Sequence, residues 1–218
     1  MQTLAVIDFE TTGMAGAGGR ATEIAAVLVR DGVIVDQYQS LMRTGAWISP
    51  FIEQLTGISN RMLEDAPEAA QVMAEVMAFT RGCPLIAHNA SFDRSFWISE
   101  AKTAGLEQDP AHDFACTVLL ARRLYPEAPN CKLGTLAEFF SLPKQGRAHR
   151  ALADAMVTAH LVLRMQRDLE RRYAAELGDC PVDHALLSRL QRSPVKSLCA
   201  QVRSHARNWH QERQLVLC

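Results

Sequence analysis

The sequence lacks the features that would assign it to a disulfide-bonded, zinc-binding or membrane class. Its six cysteines are scattered at positions 83, 116, 131, 180, 199 and 218 and form no Cys-x-x-Cys pair, which argues against zinc and redox motifs. We expect no secretory signal, because no basic segment followed by an apolar one opens the chain, and therefore reduced thiols in the cytoplasm. No apolar run is long enough to span a bilayer, so we expect no membrane partner.

A strong overall charge is also lacking. The 218 residues carry 23 basic and 24 acidic side chains, a net charge of −1, so no global field attracts the chain to a polyanion. Any nucleic acid must therefore be bound by a local site. The hydrophobic fraction of 48% is that of an ordinary globular protein, and the length allows one domain with an extension.

The sequence does contain a clear order of strands and helices. An apolar run over residues 3–8 is typical of a strand buried on both faces, and Asp31-Gly32 predicts a hairpin, so that the first three strands are antiparallel neighbours. Short apolar strands then alternate with segments of helical periodicity. This order favours an α/β fold, a mixed sheet with helices on both faces.

A C-terminal extension follows the predicted domain. Residues 178–181 (Gly-Asp-Cys-Pro) break a long helix, so we predict a main domain over residues 1–175 and a helical extension over residues 176–218. Ser193-Pro194 is the predicted start of the last helix. The extension has an apolar stripe, which suits a homodimer or partner interface. Its basic residues form either a face that follows phosphates or the solvated side of the helices.

Acidic residues stand at the ends of three separate segments. Asp8 and Glu10 end the first strand, where side chains two apart point to the same face. Asp93 and Asp154 each lie in the first turn of a helix, and His149 precedes the second of these helices. Each residue has a structural alternative when taken alone, since acids are favoured at helix N-termini and a loop histidine is commonly surface.

Small residues indicate how the three segments meet. Ala151, Ala155 and Ala159 make a ridge on the long helix, which would let this helix lie close to the sheet and bring Asp154 to Asp8. Clustered carboxylates repel one another unless cations neutralise them. The expected cations are hard and bind oxygen, such as Mg²⁺ or Mn²⁺.

The three segments together resemble the motifs of the DEDDh family of 3′–5′ exonucleases, the DnaQ-like group that includes the epsilon proofreading subunit of bacterial DNA polymerase III. Residues 8–13 (DFETTG), 88–93 (HNASFD) and 149–154 (HRALAD) are similar to its first, second and third motifs. Residues 55–58 (LTGI) are similar to the family's segment beside the terminal base. The resemblance covers about residues 1–170, with no departure at a catalytic position.

This resemblance implies a ribonuclease-H-like fold with a mixed five-stranded sheet flanked by helices. It implies that nucleoside monophosphates are released from single-stranded or frayed DNA ends. Two divalent cations, Mg²⁺ or Mn²⁺, would be held by Asp8, Glu10, Asp93 and Asp154, with His149 as the general base.

The resemblance also suggests substrate contacts. The backbone around Thr11 and Thr12 would meet the terminal 3′ hydroxyl, and three apolar residues would face the last bases. Two further candidates have structural alternatives, as a packed, hydrogen-bonded histidine and as a turn residue. The apolar residues are Leu55, Ile58 and Phe92, and the two further candidates are His88 and Asn89.

Two other functions stay open. One is an exoribonuclease on short RNA, and the other is a non-catalytic module that binds strand ends or a DNA polymerase. The complete set of four acids and His149 argues against the second. Residues 214–218 (QLVLC) loosely resemble the short peptides that dock onto bacterial sliding clamps, which makes a clamp another candidate partner.

Overall fold

The computed structural model describes residues 2–144 and 146–216. Within them, the strands are β1 Leu4–Thr11, β2 Ala21–Arg30, β3 Val33–Leu41, β4 Leu85–Ala87 and β5 Phe114–Cys116. The helices are α1 Pro50–Thr56, α2 Asn60–Glu64, α3 Ala69–Phe79, α4 Ala90–Thr103, α5 Thr117–Leu124, α6 Leu133–Phe139, α7 Ala151–Arg172, α8 Ala174–Leu177, α9 His184–Leu190 and α10 Leu198–Val216.

The strands form one mixed sheet in the order β3-β2-β1-β4-β5. The first three strands pair antiparallel, and β4 and β5 continue the sheet in parallel with β1. Asp31 and Gly32 make the tight turn between β2 and β3, both with positive φ. The predicted antiparallel strands and the mixed five-stranded sheet flanked by helices are therefore confirmed.

The central strand β1 is buried on both faces, as its apolar run predicts. Leu4 and Val6 belong to the core on the side of α7, whereas Ala5, between them, belongs to the core on the side of α3 and α4. Because strand side chains alternate, Asp8 and Glu10 continue the row of Leu4 and Val6. The two acids therefore project on the side of α7.

Helix α7 lies directly on β1 and β2. The ridge of Ala151, Ala155 and Ala159 is fully buried in this contact. Since a methyl group is the largest side chain that these positions present, the helix backbone approaches the sheet closely. The predicted close approach is confirmed, and it sets Asp154 in the first turn of α7 beside the end of β1.

The C-terminal helices complete the same core. Leu186, Leu187 and Leu190 of α9 are fully buried, together with Val202 of α10, in the cluster that contains Leu4. The apolar stripe of the extension is thus covered by the chain itself, and it gives no support to a homodimer. Fully burying each of these side chains is worth roughly 1.5–3 kcal/mol.

The last helix does not begin where the sequence pattern predicts. Ser193 is buried, and its hydroxyl donates to the carbonyl of Arg189 at 2.8 Å, at the end of α9. A 3₁₀ turn over Val195–Ser197 then precedes α10. Serine therefore completes one helix here instead of starting the next, because its hydroxyl can serve a free C-terminal carbonyl equally well.

The outer edge of β5 is covered by a side chain. Gln191 accepts a hydrogen bond from the N–H of Cys116 at 2.7 Å and donates one to the carbonyl of Phe114 at 3.2 Å. Its amide thus makes the two contacts that a further strand would make. This fastens the extension to the sheet by polar as well as apolar contacts.

Two expectations concern the thiols and the membrane. Free thiols are found at five described positions: Cys83, Cys116, Cys131, Cys180 and Cys199. Among the helices of residues 2–144 and 146–216, none has the length and apolarity needed to cross a bilayer. Leu217 and Cys218, in the segment compared with clamp-binding peptides, lie outside the described residues.

Candidate active site

Four acids meet at the carboxyl end of β1. Asp8 and Glu10 project from the strand, Asp93 lies in the first turn of α4, and Asp154 lies in the first turn of α7. Asp93 is almost fully buried, and its Oδ1 accepts a hydrogen bond from the N–H of Phe9 at 3.1 Å. That bond ties α4 to β1 at Phe9, the residue between Asp8 and Glu10.

The convergence of these acids is visible in their pKa values. Burial, followed by the fields of Asp93, Glu10 and Asp154, raises the pKa of Asp8 well above its usual range. Burial and the field of Asp154 raise the pKa of Glu10 to about 8. Burial raises the pKa of Asp93 to about 7 and also raises that of Asp154. Cations beside these carboxylates would favour the ionised forms and offset the burial and repulsion that raise the pKa values, so these residues fit divalent metal ions.

His149 closes the site from the loop before α7. Its backbone is in the left-handed region, with φ of 61°, which is uncommon for a residue with a side chain. The conformation is held by a hydrogen bond from its N–H to Asp154 Oδ2 at 3.1 Å. One ring nitrogen of His149 and one carboxylate oxygen each of Glu10 and Asp154 lie within 4.8 Å of one another. The imidazole therefore faces the acids and is also open to solvent.

A fifth acid, Glu23, is a finding of the structure. It lies on β2 opposite Glu10, and its side chain is 1% exposed. Its carboxylate accepts hydrogen bonds from Arg150 Nη2 at 2.6 Å, from Arg150 Nε at 3.0 Å and from the N–H of Ala151 at 2.9 Å. Glu23 thus anchors the first turn of α7, which carries Asp154. The only signal in the sequence is a single acid in a strand that has no other charged residue before Arg30.

Thr11 and Thr12 start the glycine-rich loop after Glu10. The hydroxyl of Thr11 donates to the carbonyl of Gly13 at 2.9 Å, and the Thr12 oxygen accepts from the N–H of Arg20 at 3.0 Å. These bonds fix the loop's course directly beside the acids. The contact of this backbone with a 3′ end stays a prediction.

The three apolar candidates have different surroundings. Leu55 is exposed on α1, and Phe92 is partly exposed with its ring 5.0 Å from that of Phe96. Ile58 has no exposed surface and packs against Ile48. The expectation that Ile58 offers a face to the last bases is therefore corrected: its side chain supports the segment, because it fills the small core beneath α1.

His88 and Asn89 have the structural roles that the sequence analysis gave as alternatives to substrate contact. His88 Nδ1 lies 2.8 Å from the hydroxyl of Thr117, and the ring is half-buried. Burial lowers the pKa of His88 to about 4, so the ring is neutral. Asn89 is the left-handed residue before α4, with φ of 68°. Both side chains border the site, and His88 is fastened within the chain.

Comparisons with known proteins agree with this site. Residues 5–162 match the family model described as exonuclease (RNase_T). The PolC-type DNA polymerase III of Caldanaerobacter subterraneus subsp. tengcongensis is 40% identical over 165 residues, which are 76% of this chain and 12% of that protein. The Bacillus subtilis protein of the same name is 37% identical over 178 residues, 81% of this chain. The chain spans only about 12% of the length of these relatives.

Solved structures share the fold. Exonuclease X in complex with 5′ overhanging duplex DNA has a TM-score of 0.65 and 29% identity, and the match covers 86% of this chain and 99% of that one. Escherichia coli exonuclease I in complex with a dT13 oligonucleotide has a TM-score of 0.69 at 16% identity, over 81% of this chain and 43% of that one. The second match shows the fold alone. The family match and the relatives together show that this chain belongs to the exonuclease family.

Proposed function

We propose that this chain removes single nucleotides from the 3′ end of single-stranded or frayed DNA and releases nucleoside monophosphates. The observation that carries the proposal is the convergence of four acids and His149 at the end of β1. DNA is favoured because the relatives are named as DNA polymerases and Exonuclease X was solved with DNA. We also infer that the reaction takes place in the cytoplasm, because the relatives are named as DNA polymerases.

Divalent cations are required throughout this family, and we infer that two ions, Mg²⁺ or Mn²⁺, bind here. Asp8 would contact both, Glu10 and Asp154 would complete one site, and Asp93 would support the other. Bound there, such ions supply charge stabilisation to the phosphate and acidify a water molecule. The raised pKa values of the metal-free acids support this assignment, because cations would offset the burial and the repulsion that raise them.

His149 is the proposed general base. Its ring lies beside Glu10 and Asp154, where it can take the proton of a water that attacks the terminal phosphodiester. Imidazole suits this role near neutral pH. The bond from its N–H to Asp154 keeps the loop at the acids, while solvent exposure of the ring lets the proton leave.

The proposal is tested with DNA and RNA decamers of one sequence, labelled at the 5′ end. With Mg²⁺ or Mn²⁺ we expect stepwise shortening from the 3′ end, faster for DNA, and none with EDTA. His149→Ala should lower turnover by roughly 10²–10⁴-fold. Binding without shortening would identify the non-catalytic alternative, and faster RNA shortening would identify the exoribonuclease.

The partners are proposals as well. The PolC-type relatives carry this segment inside a much longer polymerase chain, which favours a DNA polymerase as the partner of this one. A sliding clamp stays a prediction from residues 214–218. A pull-down with the chain truncated before residue 214 tests the clamp, since unchanged capture would remove that segment from the contact.

A further inference from the structure

Two cavities border the acids and meet at Lys132 and Leu133. The first, of about 610 Å³, lies between α6 and the loop of His149 and reaches Asp154. The second, of about 520 Å³, extends from the shared residues to His88 and its neighbour at the start of α4. We call the surface lined by these two adjoining cavities the α6 groove.

The α6 groove is basic outside the catalytic acids. Lys132, Lys144 and Arg122 line it, against the single further acid Glu138. Lys144 pairs with Glu138 at 3.2 Å. Lys132 and Arg122 are exposed and take part in no ion pair within residues 2–144 and 146–216. Two cations therefore remain available to a ligand, in a chain whose net charge is −1.

Lys132 stands on a supported segment. Asn130 Oδ1 accepts a hydrogen bond from the N–H of Lys132 at 2.9 Å. At the other end of the groove, Nδ1 of the half-buried His88 lies 2.8 Å from the hydroxyl of Thr117, the first residue of α5. These contacts fix the backbone that carries Lys132 and the histidine that lines the far end of the groove.

From this geometry, and resting on the proposed function, we propose that the α6 groove binds the phosphodiester backbone of the nucleotides upstream of the one removed, through Lys132 and Arg122. The acids repel a polyanion until cations occupy them, so a long strand needs cationic contacts beside them. Two of the basic residues of the extension are already engaged. Arg203 pairs with Glu176 at 3.5 Å, and Arg213 lies over the ring of Trp209 at 4.6 Å.

The test compares Lys132→Ala/Arg122→Ala with Lys102→Ala/Arg171→Ala, a control that removes two exposed cations from the ends of α4 and α7. The substrates are a thymidine decamer and a mononucleotide phosphodiester too short to enter the groove. For the first variant, the ratio of kcat/KM between decamer and mononucleotide should fall on the order of 10-fold. The control should keep the wild-type ratio.

A second readout is the salt dependence of binding to a decamer with non-hydrolysable terminal linkages. Each lost phosphate contact on a single strand lowers the slope of log K against log salt by about 0.7, so we expect a fall of about 1.4 for the groove variant. If the groove variant is active and keeps both the wild-type salt slope and the wild-type ratio of kcat/KM, the groove assignment is overturned and the proposed function is unaffected. If the wild-type chain cleaves neither substrate, the proposed function fails instead.

Discussion

Two buried glutamates make the same arrangement at two places in this molecule. Glu23 binds Arg150 and the N–H of the next residue, Ala151. Glu100 binds Arg20 Nε at 2.9 Å and Nη2 at 2.8 Å, together with the N–H of the residue that follows Arg20. Each carboxylate thus fixes the position of a distant chain segment through a bidentate ion pair and a backbone hydrogen bond. Only Glu23 fixes the segment that carries His149 and Asp154.

This pairing gives a matched test of positioning. Glu23→Gln and Glu100→Gln each remove one buried charge and should lower the melting temperature by similar amounts. Glu23→Gln should also lower kcat by roughly 10–100-fold, as loss of an outer-shell partner does at metal sites, with a smaller change in KM. Equal losses of kcat in the two variants would show that Glu23 has only a structural role.

The repulsion among the acids gives a second prediction. Asp8→Asn should abolish cleavage and raise the melting temperature of the metal-free protein at pH 8. The raised pKa of Asp8 means that the folded wild type must either take up a proton or hold a buried, repelled charge at this pH, and both cost stability. Each kcal/mol of relieved repulsion is worth roughly 2–4 °C in a chain of this size. Asp36→Asn, on the exposed strand β3, is the control for scanning calorimetry. A lower melting temperature for Asp8→Asn would contradict the assigned repulsion.

At the scale of elements, His88 joins the end of β4 to Thr117, the first residue of α5. Its folded-state pKa of about 4 lies below the ordinary 6.5, so the unfolded chain binds the proton first. The stability that the neutral ring contributes is therefore present above pH 6.5 and is lost as the pH falls towards 4.

His88→Gln keeps a hydrogen-bonding side chain and removes this titration. Between pH 6.5 and 4.5, the free energy of unfolding should fall less steeply in the variant than in the wild type, by up to about 1.4 kcal/mol per pH unit. Urea unfolding at a series of pH values measures the difference. Parallel curves for the two proteins would exclude His88 as the titrating group.

The elements that the sequence predicts are those encoded by local periodicity. The apolar run before Asp8, the hairpin at Asp31 and the alanine ridge of α7 each carry their signal within a few residues. Glu23 could not be assigned in this way, because its role depends on Arg150, 127 residues away. The burial of Ile58 likewise depends on Ile48, in a segment whose packing no periodicity defines.

At the scale of the whole molecule, the extension and the sheet share one core. Leu187→Ala should therefore lower the free energy of unfolding of the entire chain by about 2–5 kcal/mol, in a single urea transition seen by both fluorescence and circular dichroism. Val195→Ala is the control, since Val195 is 57% exposed in the same extension. Two separate transitions, with the exonuclease core unaffected, would show that residues 176–218 form an independent unit.

The amide of Gln191 also affects whether two molecules can associate through the outer edge of β5. An unprotected outer strand is a template on which foreign strands can assemble. The outer strand β5 is only three residues long, which already limits such pairing, and Gln191 limits it further. By filling the hydrogen-bonding positions at Phe114 and Cys116 from 75 residues away, this side chain leaves an incoming strand no partners there. Gln191, which is not one of the catalytic residues, thereby hinders strand-by-strand aggregation at the edge of β5.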